Sequence, residues 1–149
     1  NSPSSSCTHL SSRGPVSTGE FMFGSFQITG TGTRKVYIRG RGPSLSQYGV
    51  PNVMADTKIV LYKYVNDPND DQSVDPAVLV GENDDFGTNA NASEISSLST
   101  SLYGWPVIET SEAALLIDLD PGYYSAQLQS TSSANDGNGW IGIDDVTDN

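Results

Sequence analysis

Apolar residues recur at every second position in short runs, with turn residues between the runs, and this alternation constrains the fold more than any other feature. A period of two belongs to strands, whose successive side chains point to opposite faces. In the run from Phe21 to Ile28, one face carries Met22, Phe26 and Ile28. In Lys35-Val36-Tyr37-Ile38-Arg39, Val36 and Ile38 point inward while Lys35 and Arg39 point out. Residues 59–65 and 77–80 read as β-branched strands, and Ala113–Leu119 is nearly continuous in apolar residues, as expected of a central buried strand. Tyr124, Ala126 and Leu128 share a face after the turn Asp120-Pro121-Gly122, and Trp140, Ile141 and Ile143 make the last strand. Helical spacing is confined to Ile95, Leu98 and Leu102, with Ser93 expected as the cap, plus a turn over residues 44–48. Seven or eight short strands predict an all-β protein, a two-sheet antiparallel β-sandwich of jelly-roll type with one or two short helical turns.

A chain of 149 residues is long enough for one domain with its own core, needing neither metal nor disulfide to hold it. Ser (21), Thr (11), Asn (10) and Gly (15) are abundant and charged residues make up only 17%, which suits a loop-rich, hydroxyl-rich surface. No apolar run approaches the ~18 residues of a membrane-spanning helix, so no membrane insertion is expected. A net charge of −11 opposes approach to a polyanion, which argues against nucleic acid.

That charge is divided unevenly. All seven basic residues lie between Arg13 and Lys63, where the only acids are Glu20 and Asp56, so this segment carries +5. Residues 64–149 contain no Lys or Arg and carry −16. Two arrangements follow from this asymmetry: the halves interleave and neutralise each other within one subunit, or they form two unlike faces that attract neighbouring copies.

Residues 1–19 are rich in Ser, Gly and Pro, and the strand pattern is complete from Glu20 onward. The expected organisation is therefore a leader, residues 1–19, ordered by packing on its own or a neighbouring domain, and a single sandwich, residues 20–149. Cys7 is the only cysteine, so no intrachain disulfide forms. The first residue is Asn rather than Met, read as an amino end already processed, and Asn91-Ala92-Ser93 is a glycosylation sequon at Asn91. Together these favour a secreted protein.

Catalytic signals are sparse. His9, the only histidine, sits in the leader and reads as a surface or interface residue, and the neighbouring Cys7 gives a Cys-His pair without an orienting third group. The acidic clusters are Asp67-Pro68-Asn69-Asp70-Asp71, Asn83-Asp84-Asp85, and Asp144-Asp145 with Asp148. None has EF-hand spacing, and each is either a solvated turn or a set of oxygen ligands for Ca2+. No cofactor is required; the expected Ca2+ site is Asn83, Asp84 and Asp85, joined by Asp144 or Asp145. Gly30-Thr31-Gly32 and Gly40-Arg41-Gly42-Pro43 read as turns, since neither opens a long helix as a phosphate cradle does. Tyr37, Tyr48, Tyr62, Tyr64, Tyr103, Trp105, Tyr123 and Trp140 are expected mostly in packing, with a sugar-stacking platform as the functional alternative.

Several ordered motifs resemble a family. They are Leu10-Ser11-Ser12-Arg13-Gly14, Gly24-Ser25-Phe26-Gln27-Ile28, the run Ile38-Arg39-Gly40-Arg41-Gly42-Pro43-Ser44-Leu45, Asn83-Asp84-Asp85-Phe86, Ala113-Ala114-Leu115-Leu116, and Leu119-Asp120-Pro121-Gly122-Tyr123-Tyr124-Ser125-Ala126-Gln127. The set, IRxxGPSL followed by LxPGxYxAQ, is similar to a β-sandwich module of large secreted and surface proteins of environmental bacteria. The likeness spans about residues 10–146, with an acidic insertion near residues 66–76. It implies an extracellular module of structural or adhesive use without assigned enzymatic activity. The leading expectation is a non-enzymatic structural subunit whose leader, through Cys7, Leu10 and Val16, assembles it with copies of itself into a filament or surface layer. The competing one is a monomeric module that binds surface glycans or another cell-surface ligand.

Overall fold

The computed structural model describes residues 7–64, 77–101 and 109–148. Among the described residues eight strands form: β1 (His9–Val16), β2 (Phe21–Ile28), β3 (Arg34–Arg41), β4 (Lys58–Tyr64), β5 (Ala77–Asn83), β6 (Ala113–Leu119), β7 (Gly122–Gln129) and β8 (Gly137–Asp145). One helix, α1 (Ala92–Ser101), and three 3-10 turns accompany them. Sheet A has the order β1-β8-β3-β6 and sheet B the order β2-β7-β4-β5, with every strand pair antiparallel. Every pair of successive strands except β4 and β5 lies across the two sheets, which is the connectivity of a jelly roll.

The inward-facing residues are those of the alternation. Val36, Ile38, Ile141 and Ile143 from sheet A meet Ile28, Ile59, Leu61, Ala126 and Leu128 from sheet B in one core. A second core lies on the outer side of sheet A, where Tyr37, Ala114 and Val146 are covered by Phe86 and by Ile95 of α1. This second core corrects the reading of Ala113–Leu119. The strand is at an edge of sheet A, not in its centre, and it is apolar on both sides because Ala113, Leu115, Ile117 and Leu119 face the main core while Ala114 and Leu116 face the helix.

α1 is fastened by polar contacts as well. Ser99 donates to Ile95 O (2.8 Å) and meets the Tyr37 hydroxyl, and Lys35 pairs with Glu94 at 3.0 Å. The cap differs from expectation: the helix starts at Ala92, so Ser93 falls in its first turn and Asn91 O takes the first helical N–H, from Ile95. The turn over Pro43–Tyr48 forms as expected.

Of the two packings expected for the leader, His9–Val16 shows the one on its own domain, and the expected boundary at residue 20 moves with it. His9–Val16 pairs residue for residue with β8, from His9↔Asp144 to Val16↔Gly137, and so belongs to the sandwich. A four-residue turn, closed by Glu20 N–H donating to Ser17 O (2.9 Å), carries it into β2.

Candidate functional site

The resembling motifs turn out to build the scaffold. At the end of β3, Gly42 N–H (2.7 Å), Ser44 N–H (3.3 Å) and the Ser44 hydroxyl (2.8 Å) all donate to one oxygen of Glu112, which is fully buried. Arg41 Nε donates to Ser44 Oγ (3.0 Å), so a buried cation and a buried anion share one hydroxyl. Only glycine fits at 42, since a Cβ there would lie 2.6 Å from Met54 O. In the second motif, Tyr124 donates its hydroxyl to Asp120 O (2.6 Å), locking the turn between β6 and β7.

The outer side of sheet A is built over. The Trp140 indole lies along β8 against Gly142, where a Cβ would come within 2.1 Å of the ring. Arg39 stands 5.0 Å from the Trp140 ring and 5.2 Å from that of Tyr37; Arg41 stands 5.3 Å from Tyr48. Asp144 is buried with them, taking Arg39 at 3.2 Å on one oxygen and His9 Nδ1 at 2.6 Å on the other. Asp144 is thus the third group missing from the sequence reading of His9. It anchors the edge strand through His9, and the Cys7 thiol donates to the backbone carbonyl of His9 (2.9 Å).

The expected Ca2+ ligands are dispersed. Asn83 is buried and occupied: its amide donates to Asp85 O and Asn89 Oδ1 and accepts from Ala114 N–H. Asp144 belongs to His9 and Arg39, and Asp145 to Arg34 (2.8 Å) and Thr147, both on sheet A. Asp84 and Asp85 are joined instead by Asp56, from the loop between β3 and β4, with carboxylate oxygens all within 4.8 Å of one another. Thr131 donates to Asp56 (3.1 Å). Burial, then Asp56 and Asp85, raise the Asp84 carboxyl above its ordinary value against the opposing pull of Lys58. Such a trio relieves its repulsion by taking up a proton or a cation.

The expected assembly residues also have local roles. Val16 is buried in the chain's own core, Leu10 is half-exposed over the seam between β1 and β2, and Cys7 is exposed. Asn91 gives its amide to Leu116 O (3.1 Å), so a glycan on that nitrogen would displace a bond joining the helix entry to β6. The cluster at residues 67–71, the insertion near 66–76, and Leu102, Tyr103 and Trp105 lie outside the described residues.

Sheet B presents the contrasting surface. Its outer face runs in cross-strand rows: Phe21, Gln129 and Lys58; Phe23, Gln127, Val60 and Glu82; Ser25, Ser125, Tyr62 and Leu79; Gln27, Tyr123, Tyr64 and Ala77, with Val60 and Ser125 buried at the centre. Phe21, Phe23, Leu79 and Tyr123 are each at least 50% exposed. The Phe21 and Phe23 rings stand 6.2 Å apart, and Gln129 donates to Gln127 (3.0 Å). Among the described residues of these rows the one cation and one anion, Lys58 and Glu82, pair at 3.4 Å, so the rows carry no net charge on a chain of net charge −11. Tyr123 is among the aromatics that the sequence singles out. Phe21 and Phe23 are not, although the alternation that puts Met22 inside puts both of them outside.

No family model matches the chain, and no curated protein matches its sequence. Among solved structures it is similar to the pre-peptidase C-terminal domain of a collagenase from Bacillus anthracis, at 11% identity over 91% of this chain and 89% of that one, with a TM-score of 0.49.

Proposed function

We propose that the chain is a non-enzymatic extracellular interaction module and that the outer face of sheet B is its working surface. The observation that carries this is the asymmetry between the two outer faces. Sheet A is closed by α1 and by buried arginines between aromatic rings, whereas sheet B leaves two phenylalanines, a leucine and a tyrosine half or more exposed on a neutral field. Exposed apolar patches of this kind mark interaction surfaces. The extracellular assignment is supported by the resemblance of the two main motifs to modules of secreted and surface proteins. The absence of a catalytic role is supported by the use of the only histidine as a fastener of β1.

Leader-driven assembly into a filament has less support, because the strand that would be lent to a neighbour already pairs along its whole length with β8. Self-association through sheet B is a separate matter, and experiment distinguishes it from ligand binding.

The test is adsorption to an insoluble bacterial cell-wall and exopolymer preparation. The wild type should be retained, and a Phe21→Ser/Phe23→Ser double variant with an unchanged circular dichroism spectrum should wash through. Equal retention of both would overturn the assignment of this face.

A further inference from the structure

We propose that the ligand of the sheet B outer face is a neutral polysaccharide, an inference that rests on the reading of this face as the working surface. Three properties lead to it. The first is charge. Among the described residues the rows hold one cation, Lys58, paired with Glu82 at 3.4 Å; Lys63 borders the Gln27-Tyr123-Tyr64 end, and the −11 of the whole chain repels an anionic polymer. Among the described residues of the rows no carboxylate is left over for a cationic partner, since Glu82 pairs with Lys58. A neutral ligand is the class this electrostatic pattern does not penalise.

The second property is chemical composition. A sugar ring has C–H faces that pack on aromatic rings and hydroxyl edges that exchange hydrogen bonds with amides and hydroxyls. The sheet B face interleaves the two kinds of partner: Phe21 and Phe23 on β2, Tyr62 and Tyr64 on β4 and Tyr123 on β7, with Gln27, Ser25, Gln127 and Gln129 between them. A purely apolar protein surface would leave those amides without partners.

The third property is shape. Four strands about 4.8 Å apart, rising about 3.3 Å per residue, give a field roughly 14 Å wide and 26 Å long, room for several sugar units side by side with the strands. A peptide joining by strand addition needs an unpaired backbone edge, and this face presents side chains only.

The experiment is native gel electrophoresis of the whole chain in gels containing hydroxyethyl cellulose, glucomannan or alginate. Retardation is expected in at least one of the two neutral polymers, unchanged between low and high salt, with none in alginate. Phe23→Ser and Tyr123→Ser should each weaken it tenfold or more, while Tyr48→Ser, beside Arg41 on the outer side of sheet A, leaves it intact; circular dichroism confirms that each variant is folded. No retardation in either neutral polymer, equal retardation of the face variants, or binding to alginate would overturn the proposal. Sedimentation of the same variants separates the two levels. Self-association abolished by Phe23→Ser, without sugar binding, overturns the polysaccharide and leaves the face as the working surface, and the cell-wall adsorption test bears on the face alone.

Discussion

Asp84 and Asp145 both lie at strand ends, yet their surroundings act on them in opposite directions. Asp84 loses hydration and faces Asp56 and Asp85, so its carboxyl holds its proton to higher pH than usual. Burial also works against charge at Asp145, but the hydroxyl and N–H of Thr147 and the Arg34 guanidinium outweigh it and hold that carboxyl below its ordinary value. The linkage has opposite signs. A folded-state value raised above the unfolded one means that charged Asp84 destabilises the fold at neutral pH, and that the cost disappears as pH falls through the carboxylate range. A lowered value means that Asp145 stabilises above the ordinary carboxylate value of 3.8 and that its contribution is lost as pH drops below it. Thermal melts in chelator should therefore give Asp84→Asn a higher Tm than the wild type at pH 7 and Asp145→Asn a lower one, both differences shrinking toward pH 3. A lower Tm for Asp84→Asn at pH 7 would refute the repulsion. Repeating the wild-type melt with Ca2+ tests the trio as a cation site: a rise in Tm that Asp84→Asn abolishes identifies a bound cation, and identical curves show that Ca2+ does not bind there.

At the scale of elements, β1 and β6 are where sequence pattern and structure part. The inward positions of β1 are Leu10, Ser12, Gly14 and Val16, of which only Val16 is buried, so the strand is held mainly by its backbone ladder to β8 and by His9 on Asp144. A ladder of hydrogen bonds leaves no trace in the apolar pattern, and a leader of Ser, Gly and Pro hides it further. In β6 the opposite happens: two cores on its two sides make an edge strand look central. The other six strands fall where the alternation puts them because their inward positions are apolar, although on β3 and β8 the outward residues Tyr37, Arg39, Arg41 and Asp144 are buried as well. Site residues were legible to the same extent. Phe21 and Phe23 follow from period two, whereas the partnership of Asp56 with Asp84 and Asp85 and of Glu112 with Gly42 and Ser44 depends on contacts between distant segments. Removing residues 1–19 should consequently damage the sandwich itself. It strips an eight-residue strand and exposes the backbone of β8. With net contributions of about 0.5–1.5 kcal/mol per hydrogen bond and about 2–4 °C per kcal/mol, Tm should fall by about 10 °C or more. Circular dichroism melts and size-exclusion chromatography of residues 20–149 measure this, and a monomer with unchanged Tm would show β1 to be dispensable.

For the whole molecule, the decisive fact is how the jelly roll disposes of its uneven charge. Strands from the basic first part alternate in each sheet with strands from the acidic remainder, so the two meet inside the subunit: Arg34 with Asp145, Lys35 with Glu94, Arg39 with Asp144 and Lys58 with Glu82. Arg41 reaches Glu112 through Ser44. Of the two arrangements the sequence left open, interleaving is the one the fold adopts, and it removes the electrostatic reason for head-to-tail attraction. What remains is an excess of negative charge, −11 over the whole chain, which pushes copies apart. Screening by salt acts on that repulsion, whose range is about 30 Å at 0.01 M ionic strength and about 8 Å at 0.15 M. The two possibilities therefore respond to salt with opposite sign. Attraction between unlike faces would give polymer at low salt that dissolves as salt is added. Net repulsion gives a monomer at low salt, with any association through the neutral face of sheet B appearing only as salt rises. Sedimentation velocity across 10–300 mM salt should show a single species near 15.8 kDa at the low end. Larger species at 10 mM that vanish by 300 mM would mean that unlike faces survive the interleaving and would restore charge-driven assembly.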